Sequence, residues 1–202
     1  MKVSFGQVIS QVFHPLLVPT MTFCILFLFS PQLIQPLSAM SLPFLFITTF
    51  IIPMISISIL RVSGSISSLR MDKREERLVP FTFIALFFGM TTYLFIYKVG
   101  VNDLVATIFI STTVLILVLT VVTSWFKISI HAAGMSGMCG YLLALCYRVP
   151  GSELIYPLLA VVVLAGLVMT ARLQVNAHRP AEVLAGFVIG LLICFSALYW
   201  FA

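Results

Sequence analysis

Seven long apolar runs, separated by short polar connectors, constrain the fold of this chain more than any other feature. They occupy about residues 13–30, 40–61, 80–98, 103–126, 130–147, 153–171 and 181–201. A helix needs about 20 apolar residues to cross a bilayer, and every run is close to that length. Because no water satisfies the backbone in lipid, each run is expected to be an α-helix. The runs predict an all-α, polytopic bundle of six or seven spanning helices, with one transmembrane domain over residues 1–202.

Composition narrows the class of protein further. Hydrophobic residues make up 61% of the chain and charged residues only 8%, which indicates an integral membrane protein. The net charge of +5 is modest, and the basic residues lie at the ends of apolar runs instead of forming a stripe. We therefore expect membrane lipids and no nucleic acid as partners. The cysteines have no metal-ligand spacing and are interpreted as small hydrophobic residues: Cys24, Cys139, Cys146 and Cys194.

Seven helices would place alternate connectors on the same side of the membrane. The N-terminal residues would share one side with connectors 61–79, 127–129 and 172–180. The other side would hold connectors 31–39, 99–102 and 148–152. We call the first side the motif face, because the side chains capable of chemistry converge there: Arg70, Arg77, Ser129, His131, Arg172, His178 and Glu182.

Three of these residues lie between the last two apolar runs. His178 and Glu182 are four positions apart, so on a helix the carboxylate can reach the imidazole. A carboxylate on one ring nitrogen fixes the tautomer and leaves the other nitrogen free to attack. Arg172 precedes them and offers a planar set of donors for an oxyanion. This arrangement indicates phosphate chemistry.

Two further segments supply cations and a second histidine. Arg70, Lys73 and Arg77 belong to a charged stretch that fits either a solvated basic patch or a phosphate-binding cluster. Ser129 and His131 stand at the start of an apolar helix, where the helix N-terminus favours an anion. His131 could there donate a proton to a leaving oxygen, with an interfacial polar pair as the alternative.

In their order along the chain, these three segments resemble the motifs of the type-2 phosphatidic acid phosphatase family, membrane lipid phosphatases related to vanadium haloperoxidases. That family carries Lys-x6-Arg-Pro, then Pro-Ser-Gly-His, then Ser-Arg-x5-His-x3-Asp. The corresponding stretches of this chain are Arg70-x6-Arg77, Ile128-Ser129-Ile130-His131 and Ala171-Arg172-x5-His178-x3-Glu182. Order and internal spacing agree.

The chain also departs from the family pattern. Ile130 stands in place of a glycine that lets the backbone approach a phosphate, and Ala171 lacks a hydroxyl donor. Glu182 is one methylene longer than the family aspartate, and Arg70 replaces a lysine that Lys73 could instead supply. These departures predict a reshaped phosphate pocket or a different substrate, and a catalytically inactive member is the alternative.

The resemblance implies a mechanism. His178 would attack phosphorus and form a phosphohistidine, while Glu182 orients it and stabilises its cation. His131 would protonate the departing alkoxide and then activate water. The phosphoryl oxygens would be held by Arg70, Lys73, Arg77, Arg172 and Ser129. The family uses no metal and no other cofactor.

The resemblance leaves the substrate and the membrane side open. It implies a phospholipid or isoprenoid phosphate, with phosphatidic acid, phosphatidylglycerol phosphate, an isoprenoid diphosphate or a lipid A phosphate as candidates, in a bacterial inner membrane. Bacterial relatives usually act on the outer side of that membrane. The motif face carries nine of the eleven basic residues, all except Lys98 and Arg148, and the positive-inside rule would place it in the cytoplasm. We follow the charge and expect a cytoplasmic site.

Two other functions, and one further histidine, enter the sequence interpretation. Gly134-Met135-Ser136-Gly137 with His178 is similar to the serine and histidine motifs of rhomboid intramembrane proteases. A transporter or channel without enzymatic activity would instead require ionisable residues near the bilayer midplane, where this chain has almost none. His14 is interpreted as an interfacial side chain, with the lining of a lipid access path as its alternative role.

Overall fold

The computed structural model describes residues 5–68, 71 and 74–201. In this described part, α-helices account for almost all of the regular structure and no residue lies in a β-strand. The α-helices are α1 (Phe5–Val12), α2 (Val18–Phe29), α3 (Ser41–Phe46), α4 (Ile52–Val62), α5 (Leu78–Leu94), α6 (Asp103–Thr123), α7 (Ile130–Arg148), α8 (Ile155–Gln174) and α9 (Pro180–Phe201). The predicted all-α fold class is confirmed.

These elements form helical segments long and apolar enough to cross a membrane. Seven are found in the described residues: Phe5–Phe29, Ser41–Val62, Glu75–Val99, Asp103–Thr123, Ile130–Arg148, Ile155–Gln174 and Pro180–Trp200. Short 3-10 or π-helical turns join the α-helices within the first two segments and flank α5 within the third. The higher of the two predicted helix counts is therefore correct, and the arrangement fits a multi-pass integral membrane protein.

The first segment begins earlier than the predicted start at residue 13. Helix α1 starts at Phe5, and a 3-10 turn over Pro15–Leu17 separates it from α2. Pro15 has no backbone N–H and breaks the regular helix there. The His14 side chain compensates, since its Nδ1 atom accepts the Leu16 N–H at 3.3 Å. This kink places His14 inside the first segment and not at its outer end.

Helix α7 is the centre of the bundle. Buried residues make up 72% of an apolar 18-residue stretch of α7, against 28–39% of the corresponding stretches in the other six segments. Glycines allow α9 to approach it closely: a Cβ atom on Gly140 would lie 2.8 Å from the Leu191 carbonyl oxygen, and one on Gly190 would overlap the Ala133 carbonyl oxygen. The second and third motifs therefore stand on two helices that pack backbone against backbone.

Hydrogen bonds join the connectors at each end of the bundle. Away from the motif face, the Asn102 side chain caps α6 by accepting the Val105 N–H at 2.9 Å. Its amide also donates to the carbonyl oxygens of Leu33 at 2.9 Å and Gln35 at 2.8 Å. At the motif face, Arg74 and Arg77 donate to carbonyl oxygens of connector 124–129, and Ser129 of that connector is bonded to the first turn of α9, as the predicted helix alternation requires.

Candidate functional site

The short connector between α8 and α9 positions His178. Asn176 adopts a left-handed conformation with φ of 50°, which asparagine tolerates better than most residues. The Ala177 N–H then donates to the Arg172 carbonyl oxygen at 3.1 Å and closes the end of α8. Pro180 begins α9, where its missing N–H costs no helical hydrogen bond. The sequence interpretation did not single out Asn176, although asparagine between two apolar runs is a turn signal.

His178 and Glu182 form the predicted pair. The Nδ1 atom of His178 lies 2.8 Å from Oε2 of Glu182, and the His178 side chain is only 1% exposed. Glu182 Oε2 also accepts the Arg179 N–H at 3.3 Å. A carboxylate partner makes Nδ1 the donor, so the Nε2 atom of the neutral ring carries the lone pair.

The surroundings favour the neutral form of His178. Burial is the largest influence and lowers the pKa of His178 to about 4. The charges of Arg77 and Arg172 lower this pKa as well, while Glu182 opposes them through its hydrogen bond and its charge. The imidazole is thus uncharged at neutral pH, with two guanidinium groups close enough to act on it.

Arg77 connects two of the converging connectors. Its side chain is buried, and its Nε atom donates to the Met71 carbonyl oxygen at 2.8 Å. One terminal nitrogen donates to the Ile128 carbonyl oxygen at 3.4 Å. The neighbouring Arg74 donates to the Trp125 carbonyl oxygen at 2.8 Å. Arg77 therefore lies beside the start of α7, and its charge acts on His178.

Ser129 caps α7 and is fully buried. Its Oγ atom accepts the Ala132 N–H at 3.4 Å. Its own backbone N–H donates to the Glu182 carbonyl oxygen at 3.1 Å. Because the Oγ atom uses a lone pair in the cap, its hydroxyl hydrogen is left for another acceptor. The contact with Glu182 fixes the second motif against the third.

His131 is held by the N-terminal helix, a contact that sequence reasoning missed. One ring nitrogen, Nε2, lies 3.0 Å from the Ser10 carbonyl oxygen. A carbonyl only accepts, so Nε2 must be the donor and the neutral ring has its lone pair on Nδ1. That Nδ1 atom is buried and has no hydrogen-bond partner. Nδ1 is therefore the His131 atom with capacity for proton transfer.

His14 is a second residue whose position differs from the predicted interfacial one. Its ring meets the His131 ring edge-on, with the ring centroids 5.9 Å apart, and it also lines an apolar cavity within the bundle. The alternative role, the lining of an access path, agrees with this position. No sequence signal joined the two histidines, because they are far apart in the chain and meet only through packing.

Arg172 lies in the last turn of α8, where its charge acts on His14, His131 and His178. Arg70 and Lys73, the other predicted phosphate-binding residues, lie outside the described residues. Among the residues described, no group of three His, Cys, Asp or Glu side chains is placed to hold a metal ion. The site seen here is a cluster of histidines and arginines with one carboxylate.

The protease-like pairing of Ser136 with His178 finds no support in the geometry. The Ser136 Oγ atom donates to the Ala133 carbonyl oxygen at 3.2 Å and packs against Gly190. Gly190 lies eight residues beyond Glu182 on α9, about 12 Å along the helix axis. Ser136 is therefore a buried packing residue well below the histidine.

Comparison with known proteins gives a match to the part of the chain that carries the second and third motifs. Residues 120–202 match the PAP2 superfamily. This match confirms the predicted resemblance to the type-2 phosphatidic acid phosphatases and supports phosphatase activity in general. The matched PAP2 residues include Ser129, His131, Arg172, His178 and Glu182, whereas Arg77 precedes them. Neither the curated proteins nor the solved structures gave a match to the chain.

Proposed function

We propose that this protein hydrolyses a lipid phosphate or isoprenoid diphosphate through a phosphohistidine on His178. The observation that carries the proposal is the 2.8 Å contact between His178 Nδ1 and Glu182 Oε2. It leaves Nε2 as the nucleophilic atom of a buried, neutral ring. The charges of Arg77 and Arg172 act on that ring and would hold the phosphoryl oxygens.

The first step forms the covalent intermediate. The Nε2 lone pair attacks phosphorus as the bond between phosphorus and the leaving oxygen breaks. Glu182 stabilises the imidazolium that develops, as the aspartate does in a serine protease triad. The Nδ1 lone pair of His131 takes the acidic proton of the bound, singly protonated phosphate group and passes it to the leaving oxygen. The arginines stabilise charge that spreads over the phosphoryl oxygens in the transition state.

The second step returns the enzyme to its starting state. The Nδ1 lone pair of His131 now takes a proton from water, whose oxygen attacks phosphorus. The bond between phosphorus and Nε2 breaks, inorganic phosphate leaves with the proton held by His131, and both histidines are neutral again. Ser10 supports both steps, because its carbonyl oxygen keeps the Nε2 proton of His131 in place and so directs proton transfer to Nδ1.

Two features support a lipid as the substrate. The site lies at the end of a bundle of seven candidate spans, where a head group would meet the protein. Arg77 and Arg172 give that end a positive charge suited to phosphate. We propose a bacterial inner membrane as the location and the cytoplasmic side as the side of the site, following the distribution of basic residues.

The test is phosphate release from a panel of lipid phosphates by the purified protein, with a His178→Ala variant. We expect the variant to lose at least about 10³-fold in kcat, because it has no nucleophile in place of Nε2. Lys98→Ala is the matched control: it removes an exposed cation at the opposite end of the bundle and should keep full activity. Wild-type turnover by His178→Ala would refute the assignment of the nucleophile.

Trapping the intermediate separates the roles of the two histidines. A ³²P-labelled substrate with a good leaving group should label the His131→Ala variant more heavily than the wild type, because hydrolysis of the intermediate slows most. The label should be stable to alkali and labile to acid, and absent from His178→Ala. Equal labelling of His178→Ala and wild type would rule out a phosphohistidine at this position.

A further inference from the structure

A long cavity runs from the candidate site into the bundle. Its volume is about 120 Å³, and its walls come mainly from α2, α4, α5, α6 and α7. Almost all of the lining side chains are aliphatic, aromatic or sulfur-containing. The chemistry described for the histidines and arginines uses none of this space.

The mouth of the cavity adjoins the residues proposed to handle phosphate. His14 lines the cavity and touches His131 with its ring edge. Ile130, the neighbour of His131, lines it too, as does Met71, whose carbonyl oxygen binds Arg77. An amphiphile with its phosphate at the histidines would therefore have an apolar space directly below its head group.

The depth of the cavity is set by the helices that line it. On α7 the lining extends from Ile130 to Tyr141, and on α6 from Leu119 to Ile108. Eleven residues of helix rise about 16 Å. With carbon–carbon bonds of about 1.5 Å, a zigzag chain of roughly 13 carbons would extend over that depth.

The inner end of the cavity has a polar floor. Tyr141 is buried there, and its hydroxyl group lies 2.8 Å from Ser111 Oγ and 2.9 Å from Thr112 Oγ1. It also lies 3.2 Å from the Ile108 carbonyl oxygen. These groups satisfy one another, so a hydrocarbon that displaced them would leave buried polar atoms unpaired. This hydrogen-bond network therefore closes the inner end of the cavity.

We propose that this cavity binds one hydrocarbon chain of the substrate and that its floor at Ile108 and Tyr141 selects the length of that chain. The inference rests on the proposed function, since it takes the phosphate to lie at His178. The contacts of His14 with His131 and of Met71 with Arg77 link the cavity wall to the cationic site, and they favour the substrate chain as the occupant over a bilayer lipid. His14 lies where the polar site meets the apolar cavity and would contact the first carbons after the phosphate.

Ile108 offers a matched pair of variants. Ile108 is 1% exposed and lines the cavity, whereas Ile110, two residues away on α6, is 49% exposed on the outer surface of the bundle. Ile108→Phe would shorten the cavity and Ile108→Ala would deepen it. The same substitutions at Ile110 change neither the cavity nor the site, and thus control for general effects on α6.

The experiment uses linear alkyl monophosphates of increasing chain length for turnover, and the matching non-hydrolysable alkylphosphonates for binding, in mixed micelles at constant surface fraction. We expect binding and kcat/KM to peak at one length and to fall about tenfold for chains that overfill the cavity. The peak should move to shorter chains in Ile108→Phe and to longer chains in Ile108→Ala. It should stay in place in both Ile110 variants, and thermal unfolding should confirm that all four fold.

The two readouts separate this inference from the proposed function. Binding that depends on chain length and shifts with Ile108, without any phosphate release, would support the cavity and refute the phosphatase. Phosphate release with binding and turnover independent of chain length would support the phosphatase and overturn the cavity proposal. A peak that shifts equally in the Ile108 and Ile110 variants would also overturn it.

Discussion

The two sides of α7 are packed in opposite ways. Toward α9 the contact is so close that Gly190 has no room for a side chain, and the Ser129 and Glu182 backbones are hydrogen-bonded. Toward α4, α5 and α6 the helices leave an apolar cavity. Gly89 of α5 does not line that cavity, and a Cβ atom on it would meet nothing within 4 Å. The comparison shows that the second and third motifs meet on the closely packed side of α7, while the open space lies on its other side.

Substitution of two glycines is expected to have the largest effect and tests the close packing of α7 against α9. In Gly190→Val the new side chain would collide with the Ala133 carbonyl oxygen and the Ser136 hydroxyl group. Overpacking usually costs about 1–3 kcal/mol, and a clash with backbone should exceed that range. We expect little folded protein, measured by size-exclusion chromatography and thermal unfolding in detergent. Gly89→Val should behave as wild type, and equal stability of the two variants would contradict the proposed asymmetry.

The next largest effect concerns the carboxylate of Glu182, on the closely packed side of α7. Glu182→Gln should keep the fold but lower kcat about 100-fold, because an amide does not stabilise the imidazolium of His178 as a carboxylate does. Glu182→Asp retains the charge and tests whether the longer side chain has become necessary in this pocket. Unchanged activity and an unchanged pH profile in Glu182→Gln would reduce this residue to a charge at the start of α9.

The pH profile tests the burial of His178. For a free imidazole with a pKa near 6.5, the neutral fraction falls about 25-fold between pH 7 and pH 5. Because the pKa of His178 is lowered to about 4, its neutral form should persist at pH 5 and be lost only as the pH falls through about 4. We expect the acid limb of kcat/KM to lie there, after correction for the separately titrated ionisation of the substrate.

The Glu182→Gln variant sharpens the sign of this effect. The hydrogen bond and charge of Glu182 raise the pKa of His178, so their removal should move the acid limb to still lower pH. An acid limb near pH 6.5 in the wild type would contradict the buried, neutral His178.

The smallest expected effect compares caps at the two ends of the bundle. Ser129→Ala and Asn102→Ala each remove the side chain that caps a helix, at a cost of about 1 kcal/mol in stability. If the Ser129 hydroxyl group also donates to phosphate, only Ser129→Ala should lower kcat/KM, by about tenfold. Thermal unfolding and kinetics on both variants separate the two contributions. Equal kinetics would leave Ser129 as a cap alone.

Much of the fold could be read from local sequence. Apolar length predicts a spanning helix because lipid leaves the backbone no other way to satisfy its hydrogen bonds. Six of the seven predicted runs agree closely with the observed helices, apart from the earlier start of the third segment at Glu75. The first run was predicted too short, since Gln7, Ser10 and Gln11 interrupt the apolar pattern in and around α1. Ser10 is nevertheless buried, and its carbonyl oxygen binds His131, a contact between helices that the sequence does not give.

In the candidate site, too, some relations follow from the sequence and others only from the tertiary structure. The sequence predicted the pairing of His178 with Glu182 from a spacing of four on one helix. The pair forms, although His178 lies in the connector before α9 and only Glu182 is on the helix. Only the tertiary structure decided that the Ser10 carbonyl binds His131, that His14 stands beside it, and that a cavity opens below them. These relations join α1, α7 and the helices between them, so they depend on how the helices pack. Spacing along the chain fixes neighbours within a helix, and close packing selects neighbours between helices.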